Sequence, residues 1–156
     1  MKGEIDQKKM ALAKMEAICS RREYCSADIR ERLLKFSLPE GAVEEIVESL
    51  KRERYLDDGR YAAAYARDKS SLAGWGPRKI EFALKGKGIG SEIIAQALEE
   101  VDRGCAQERM QEVVLRKWSS LSKEEDVEKR RIKTIKFALG RGYSYEEVGP
   151  YVRSLR

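Results

Sequence analysis

The chain has 156 residues, of which 38% are charged, with a mean hydropathy of −0.61 and a net charge of +5. That surface is large for one compact core of this length, while 42% hydrophobic residues in periodic order argue against a disordered chain. The absence of histidine excludes histidine-dependent catalysis and weighs against most transition-metal sites. Three cysteines (Cys19, Cys25, Cys105) without C-x-x-C spacing argue against a disulfide framework or a zinc centre.

The plain expectation for those cysteines is reduced thiols in a cytoplasmic protein. Met1-Lys2-Gly3-Glu4 has no apolar signal core, and no apolar run reaches membrane-spanning length. The basic excess is uneven: residues 1–58 carry −1, residues 59–104 carry +2 and residues 105–156 carry +4. Such a distribution permits a polyanionic partner, as do many solvated helical surfaces.

Apolar residues recur at three- and four-residue spacing almost throughout, so an all-α fold is expected. The first helix is expected from about Ile5 to Glu23, with Ala11, Met15 and Ile18 on one face beside Leu12. Ser26 is placed to N-cap a second helix through Ile29, Leu33 and Leu34, with Asp28 in its first turn. Pro39 suits the first turn of a third, striped by Val43, Ile46, Val47 and Leu50. One of Asp57 and Asp58 can cap the next helix, Arg60 to about Leu72, in which Tyr61, Tyr65 and Leu72 lie close to one face. Gly76-Pro77 opens a fifth helix with Ile80 and Leu84 inward; Gly86 and Gly88 end it, and Ser91 caps a sixth carrying Ile93, Ile94, Ala97 and Leu98. A seventh, from about Cys105 to Trp118, offers Met110, Val113, Val114 and Trp118. Ser122-Lys123-Glu124-Glu125 has capping-box spacing before a helix striped by Ile132, Ile135 and Leu139. A second capping box, Ser144-Tyr145-Glu146-Glu147, starts a final helix through Val148 and Val152, and Pro150 is expected near a helix start.

These elements fall into three copies of one three-helix unit, over residues 1–56, 57–103 and 104–156. Leu34, Leu84 and Leu139 mark equivalent places, which gives a period of roughly 50 residues. The expected architecture is a tandem array of three three-helix modules, elongated or curved.

Four groups of residues invite a functional reading. Asp57 and Asp58 are adjacent carboxylates, but a helix cap and its dipole-favoured neighbour explain them better than a metal or acid–base site. Tyr61 and Tyr65 share a helix face and read as core with hydroxyls at the rim, against an aromatic platform for bases. Arg78, Lys79, Lys85 and Lys87 surround a helix flanked by glycines; contact with an anionic partner stands there beside simple helix capping. Lys129, Arg130, Arg131, Lys133, Lys136 and Arg141 make the most basic helix, with Lys129, Lys133 and Lys136 on one face and Glu128 as the local counter-charge. No recognition helix stands apart from its copies, so base-specific readout is unsupported.

Leu56-Asp57-Asp58-Gly59-Arg60-Tyr61-Ala62, then Gly76-Pro77-Arg78-Lys79-Ile80 and Leu84-Lys85-Gly86-Lys87-Gly88-Ile89, resemble the RecX family of bacterial regulatory proteins, as does Ser20-Arg21-Arg22-Glu23-Tyr24-Cys25-Ser26. The likeness runs from about Ala17 to Leu98 and departs from the family pattern at Trp75 and in the third unit. It implies an all-helical, modular, somewhat curved protein, with which the residues' own reading agrees: non-catalytic, without cofactor or metal, and expected as a monomer. In that family the protein binds filaments of the RecA recombinase on single-stranded DNA and restrains ATP hydrolysis, coprotease activity and strand exchange; some members bind DNA. The contact candidates are then Arg78, Lys79, Lys85, Lys87, Lys129, Arg130, Lys133 and Lys136, while Asp57, Asp58, Arg60, Tyr61, Tyr65, Gly76 and Pro77 hold the middle unit in shape. A sequence-independent DNA-binding protein without a recombinase partner is the alternative.

Overall fold

The computed structural model describes residues 2–102 and 106–156, and these form nine helices with no strand among them. The first three are α1 (Lys2–Arg21), α2 (Ser26–Leu33) and α3 (Ala42–Arg52). The next three are α4 (Asp58–Ser71), α5 (Pro77–Gly86) and α6 (Ser91–Asp102), and the last are α7 (Ala106–Ser120), α8 (Val127–Gly140) and α9 (Tyr145–Ser154). Cys105 and the expected boundary at residues 103 and 104 lie outside the described residues.

Three small apolar cores replace one large one. Ala11, Met15, Ile29, Leu33, Ile46, Val47 and Leu50 close the first. Tyr61, Ala62, Ala66, Ile80, Leu84, Ile94 and Ala97 close the second, and Met110, Val114, Trp118, Ala138, Val148 and Val152 close the third. The apolar stripes of α1, α3, α5, α6 and α9 face inward as their spacing implies.

Several local expectations are corrected. Ser26 is the first residue of α2 and Cys25 takes the N-cap position, with no side-chain hydrogen bond there. Pro39 lies in the turn before α3, where its carbonyl accepts from Ala42 N–H, so the helix begins later than proline suggested. Ser91 is likewise inside α6, and Pro150 sits within α9. The Ser122 capping box does not form, because Asp126 lies nearer and caps α8 by accepting from the Glu128 and Lys129 N–H groups. The box at Ser144 does its half of the work, its hydroxyl accepting from Glu147 N–H.

Leucine identity also misled the repeat register. Leu34 is 77% exposed and Leu139 is 38% exposed, whereas Leu33, Leu84 and Ala138 are each fully buried. Ile89 N–H closes back on Leu84 O as Tyr143 N–H does on Ala138 O, which makes these two carbonyls equivalent. On α8 the buried positions are Thr134 and Ala138, Ile135 packs against the same core as expected, and Ile132 is half exposed. Leu72 is 83% exposed beyond the end of α4, off the face that buries Tyr61.

The joint between the second and third modules is a backbone-to-backbone lock. Gly76 N–H donates to Arg141 O at 2.7 Å and Arg78 N–H to Gly142 O at 3.0 Å, so the unpaired donors at the start of α5 meet the unpaired carbonyls after α8. The opposite partial charges of the two helix ends favour that approach. Room for it exists only because both contacts are glycine. A Cβ on Gly76 would lie 2.5 Å from the Gly142 carbonyl carbon and oxygen, and one on Gly142 would lie 2.5 Å from Lys79 Cβ. Gly142 has φ +101° besides, a conformation that other residues adopt only under strain.

Gly76→Ala and Gly142→Ala are each expected to lower stability by about 1–3 kcal/mol or more in urea titrations. Gly86→Ala, at a helical site with open space around it, is expected to leave stability unchanged or raise it by up to about 1 kcal/mol. Equal effects at the three positions would show that the lock contributes nothing.

Candidate functional site

Asp57 and Asp58 separate into two roles. Asp57 Oδ1 accepts from Arg60 N–H at 3.0 Å and caps α4, as one of the pair was expected to do. Asp58 reaches out of its own module. Its carboxylate accepts from Ser26 N–H at 2.9 Å and from the Ser26 hydroxyl at 3.1 and 3.0 Å, and so completes the start of α2. The pair is architectural, and among the described residues no group of three or more His, Cys, Asp or Glu side chains could hold a metal ion.

Arg60 is the second pin of this joint. Its Nε donates to both Glu23 carboxylate oxygens at 2.8 Å, and its Nη2 donates to the carbonyls of Arg54 and Tyr55 at 3.1 and 3.4 Å. The third pin is Lys87, whose Nζ donates to Asp28 Oδ1 at 2.9 Å. Cys25 and Ala27, at the start of α2, pack into the core of the middle module beside Tyr61, so the joint is also apolar. Burial pushes the Tyr61 phenol up to about 12, with the Cys25 thiol and Asp28 adding to it. Burial likewise raises the Asp28 carboxyl, but hydrogen bonds from Lys87 and Cys25 outweigh it and leave the group below its ordinary value of 3.8.

The basic candidates divide by partner. On α5, Lys79 lies with Nζ 4.5 Å from the Trp75 ring centroid, Lys85 pairs with Glu81 one turn away, and Lys87 is held by Asp28. On α8, Arg130 donates Nε and Nη2 to Trp118 O at 3.1 and 2.7 Å and stacks 3.9 Å from that ring centroid. Lys133 pairs with Glu124 at 2.8 Å, a second local counter-charge beside Glu128, which holds Arg131. Arg78, Lys129 and Lys136 are exposed and have no ion-pair partner among the described residues. Tyr61 and Tyr65 stack with centroids 5.8 Å apart, and Tyr65 meets Trp75 edge-on at 6.4 Å. Trp75 thus ends an aromatic row that Lys69 and Lys79 both cover.

Sequence reasoning did not find the joints. They pair Ser26 with Asp58, Glu23 with Arg60 and Asp28 with Lys87, residues more than thirty positions apart that no local period connects. Nor does it single out α7 as a source of cations, since its Arg109, Arg116 and Lys117 meet Arg141, from the turn after α8, only in the folded chain.

The fold is a serial array of three-helix modules with ionic and backbone joints between them. The model of the second three-helix domain of RecX matches residues 57–98. The regulatory protein RecX of Clostridium acetobutylicum is 32% identical over 82% of this chain and 60% of its own length. That of Clostridium botulinum (strain Alaska E43) is 28% identical over 98% and 77%. A crystal structure of regulatory protein RecX superposes with a TM-score of 0.83 at 26% identity, over 95% of this chain and 74% of that one. RecX from Lactobacillus salivarius shares the fold at 20% identity, with a TM-score of 0.85 over 97% of both chains. The chain belongs to the RecX family, and it spans 60% of the length of the first curated relatives it matches.

The Asp28–Lys87 pin carries a pH dependence of known sign. A carboxyl depressed on folding stabilises above its unfolded value and loses that contribution as pH falls through its folded value. Asp28→Asn is therefore expected to cost about 1 kcal/mol at neutral pH, and the difference from the wild type should shrink as pH falls below 3.8 and vanish once it passes the lower value of the folded state. Urea midpoints measured across that range check it; a constant difference would remove the ionic role of the pin.

Proposed function

We propose that the chain binds RecA recombinase filaments on single-stranded DNA and restrains their ATPase, coprotease and strand-exchange activities. Membership of a family named for a regulatory protein is the observation that carries this reading. The charge pattern supports it: exposed cations on α5 and α8 fit a protein that works by contact with an acidic surface. Arg78, Lys79 and Lys85 on α5, with Lys129, Lys133 and Lys136 on α8, are the residues proposed to meet an acidic filament surface or DNA. Lys87 and Arg130 serve through their internal partners, Asp28 and Trp118, by fixing where those helices lie.

The test is the DNA-dependent ATPase rate of RecA with this chain at substoichiometric ratio. Inhibition and shorter filaments are expected. Arg78→Glu combined with Lys129→Glu and Lys136→Glu should weaken inhibition by about tenfold or more while leaving the urea midpoint in place. No change in rate or filament length with the wild-type chain overturns the regulatory reading. In that case, binding to bare DNA that falls steeply with salt would establish the sequence-independent DNA binder instead.

A further inference from the structure

A second cationic feature lies apart from the residues discussed as contacts. Where the end of α4 meets α7 and the turn after α8, the second and third modules leave a cleft of about 300 Å³. Arg109, Arg116, Lys117 and Arg141 line it against a single acid, Glu112. Several cations elsewhere in the molecule pair with carboxylates, as in Arg60–Glu23, Lys87–Asp28, Arg30–Glu44 and Lys133–Glu124. Among the described residues none of the four cleft cations has a carboxylate within ion-pair distance.

Neutral groups hold three of them in place instead. Arg109 donates Nη1 to Ser70 Oγ at 3.0 Å, and Arg141 donates Nη1 to Ala73 O at 3.0 Å. Lys117 and Arg141 both lie 5.0 Å from the Phe137 ring centroid. Cations ordered by neutral partners keep their charge available, and the cost of immobilising them has been met in folding. Apolar walls strengthen the field they project into the cleft.

We infer that this cleft takes an acidic peptide segment of the protein partner, with carboxylates flanking an apolar side chain. Three features favour a peptide over a nucleic-acid strand. The aromatic ring of the cleft is already engaged by two cations, whereas single-strand grooves present free ring faces on which bases stack. Glu112 repels a continuous phosphate backbone but can accept a peptide N–H. Leu72, 83% exposed on the rim, offers an apolar contact that a sugar–phosphate chain does not use. The inference rests on the reading of this chain as a protein-binding regulator and names the kind of segment its second joint would grip.

The test uses a short fluorescein-labelled peptide of alternating Glu and Leu, with a labelled oligothymidylate of equal charge as competitor. Saturable peptide binding is expected for the wild-type chain, with a loss of about tenfold or more in Arg116→Glu/Lys117→Glu and no displacement by the oligonucleotide at equal concentration. If that variant melts early, Leu72→Glu, altered at an exposed rim position, carries the same comparison. Absent peptide binding, undiminished binding by both variants, or displacement by the oligonucleotide would overturn the inference. RecA ATPase assays on the same preparations separate the two claims. Inhibition without peptide binding refutes the cleft and leaves the regulatory reading standing; peptide binding without inhibition does the reverse.

Discussion

The start of an α-helix leaves backbone N–H groups that nothing inside the helix can satisfy, and this deficit organises the chain. The middle helices of the first two modules, α2 and α5, have Cys25 and Gly76 at their N-cap positions, neither of which supplies a side-chain cap. Each deficit is met from the following module: by the Asp58 carboxylate at Ser26, and by the Arg141 and Gly142 carbonyls at Gly76 and Arg78. Each middle helix is thus complete only when the next module has docked. The third middle helix, α8, has its own cap in Asp126. Coupling of this kind turns three marginal cores into one cooperative unit, as expected when each repeat is too small to be stable alone.

The two joints solve the same problem with different chemistry. Lys87-Gly88 and Arg141-Gly142 occupy the same turn of successive copies, and both glycines have positive φ, at 75° and 101°. In each copy the basic residue of that turn reaches back to the preceding module: Lys87 to Asp28, and Arg141 to the carbonyl of Ala73. The first joint is built from charged side chains around an apolar seam, and the second from main chain and a glycine pair. Basic residues at these turns are therefore committed to architecture before any partner arrives. The cations left for a partner are those that face away from the joints, or that line the second joint without a counter-ion.

Much of this was legible from periodicity. Helix order, the inward faces of α1, α3, α5, α6 and α9, the cap at Asp57 and the capping serine at Ser144 all depend on residues within a turn or two of each other. Periodicity fails where a nearby residue of the right type does not occupy the right position. Ser26 is a good capping residue by composition, yet its hydroxyl is spent on Asp58, thirty-two residues on. Leu34 and Leu139 match Leu84 by identity, while packing puts Leu33 and Ala138 in its place: Leu33 ends α2 inside the first core, Leu34 lies just past the helix, and Ala138 shares the third core with Trp118. Lys87 and Arg130 read as surface cations because the groups that hold them, Asp28 and the Trp118 carbonyl, come from other helices. The candidate contacts on α5 and α8 were visible as charge, but their sorting into held and free side chains required the tertiary structure.

That sorting changes how salt dependence must be read in this molecule. Ion pairs at an exposed joint are screened as ionic strength rises, whereas hydrogen bonds between main-chain groups are hardly affected. Raising salt therefore screens the exposed cations proposed to meet a polyanionic partner and, at the same time, weakens the Glu23–Arg60 and Asp28–Lys87 pins of the first joint. The second joint, with its carbonyl acceptors and glycine contact, should hold its geometry over the same range, and with it the four cations of its cleft. A loss of affinity on α5 would combine screening of the contact with loosening of the first joint, while a loss at the cleft would report the contact alone. The separation follows from which charges the fold has already paired.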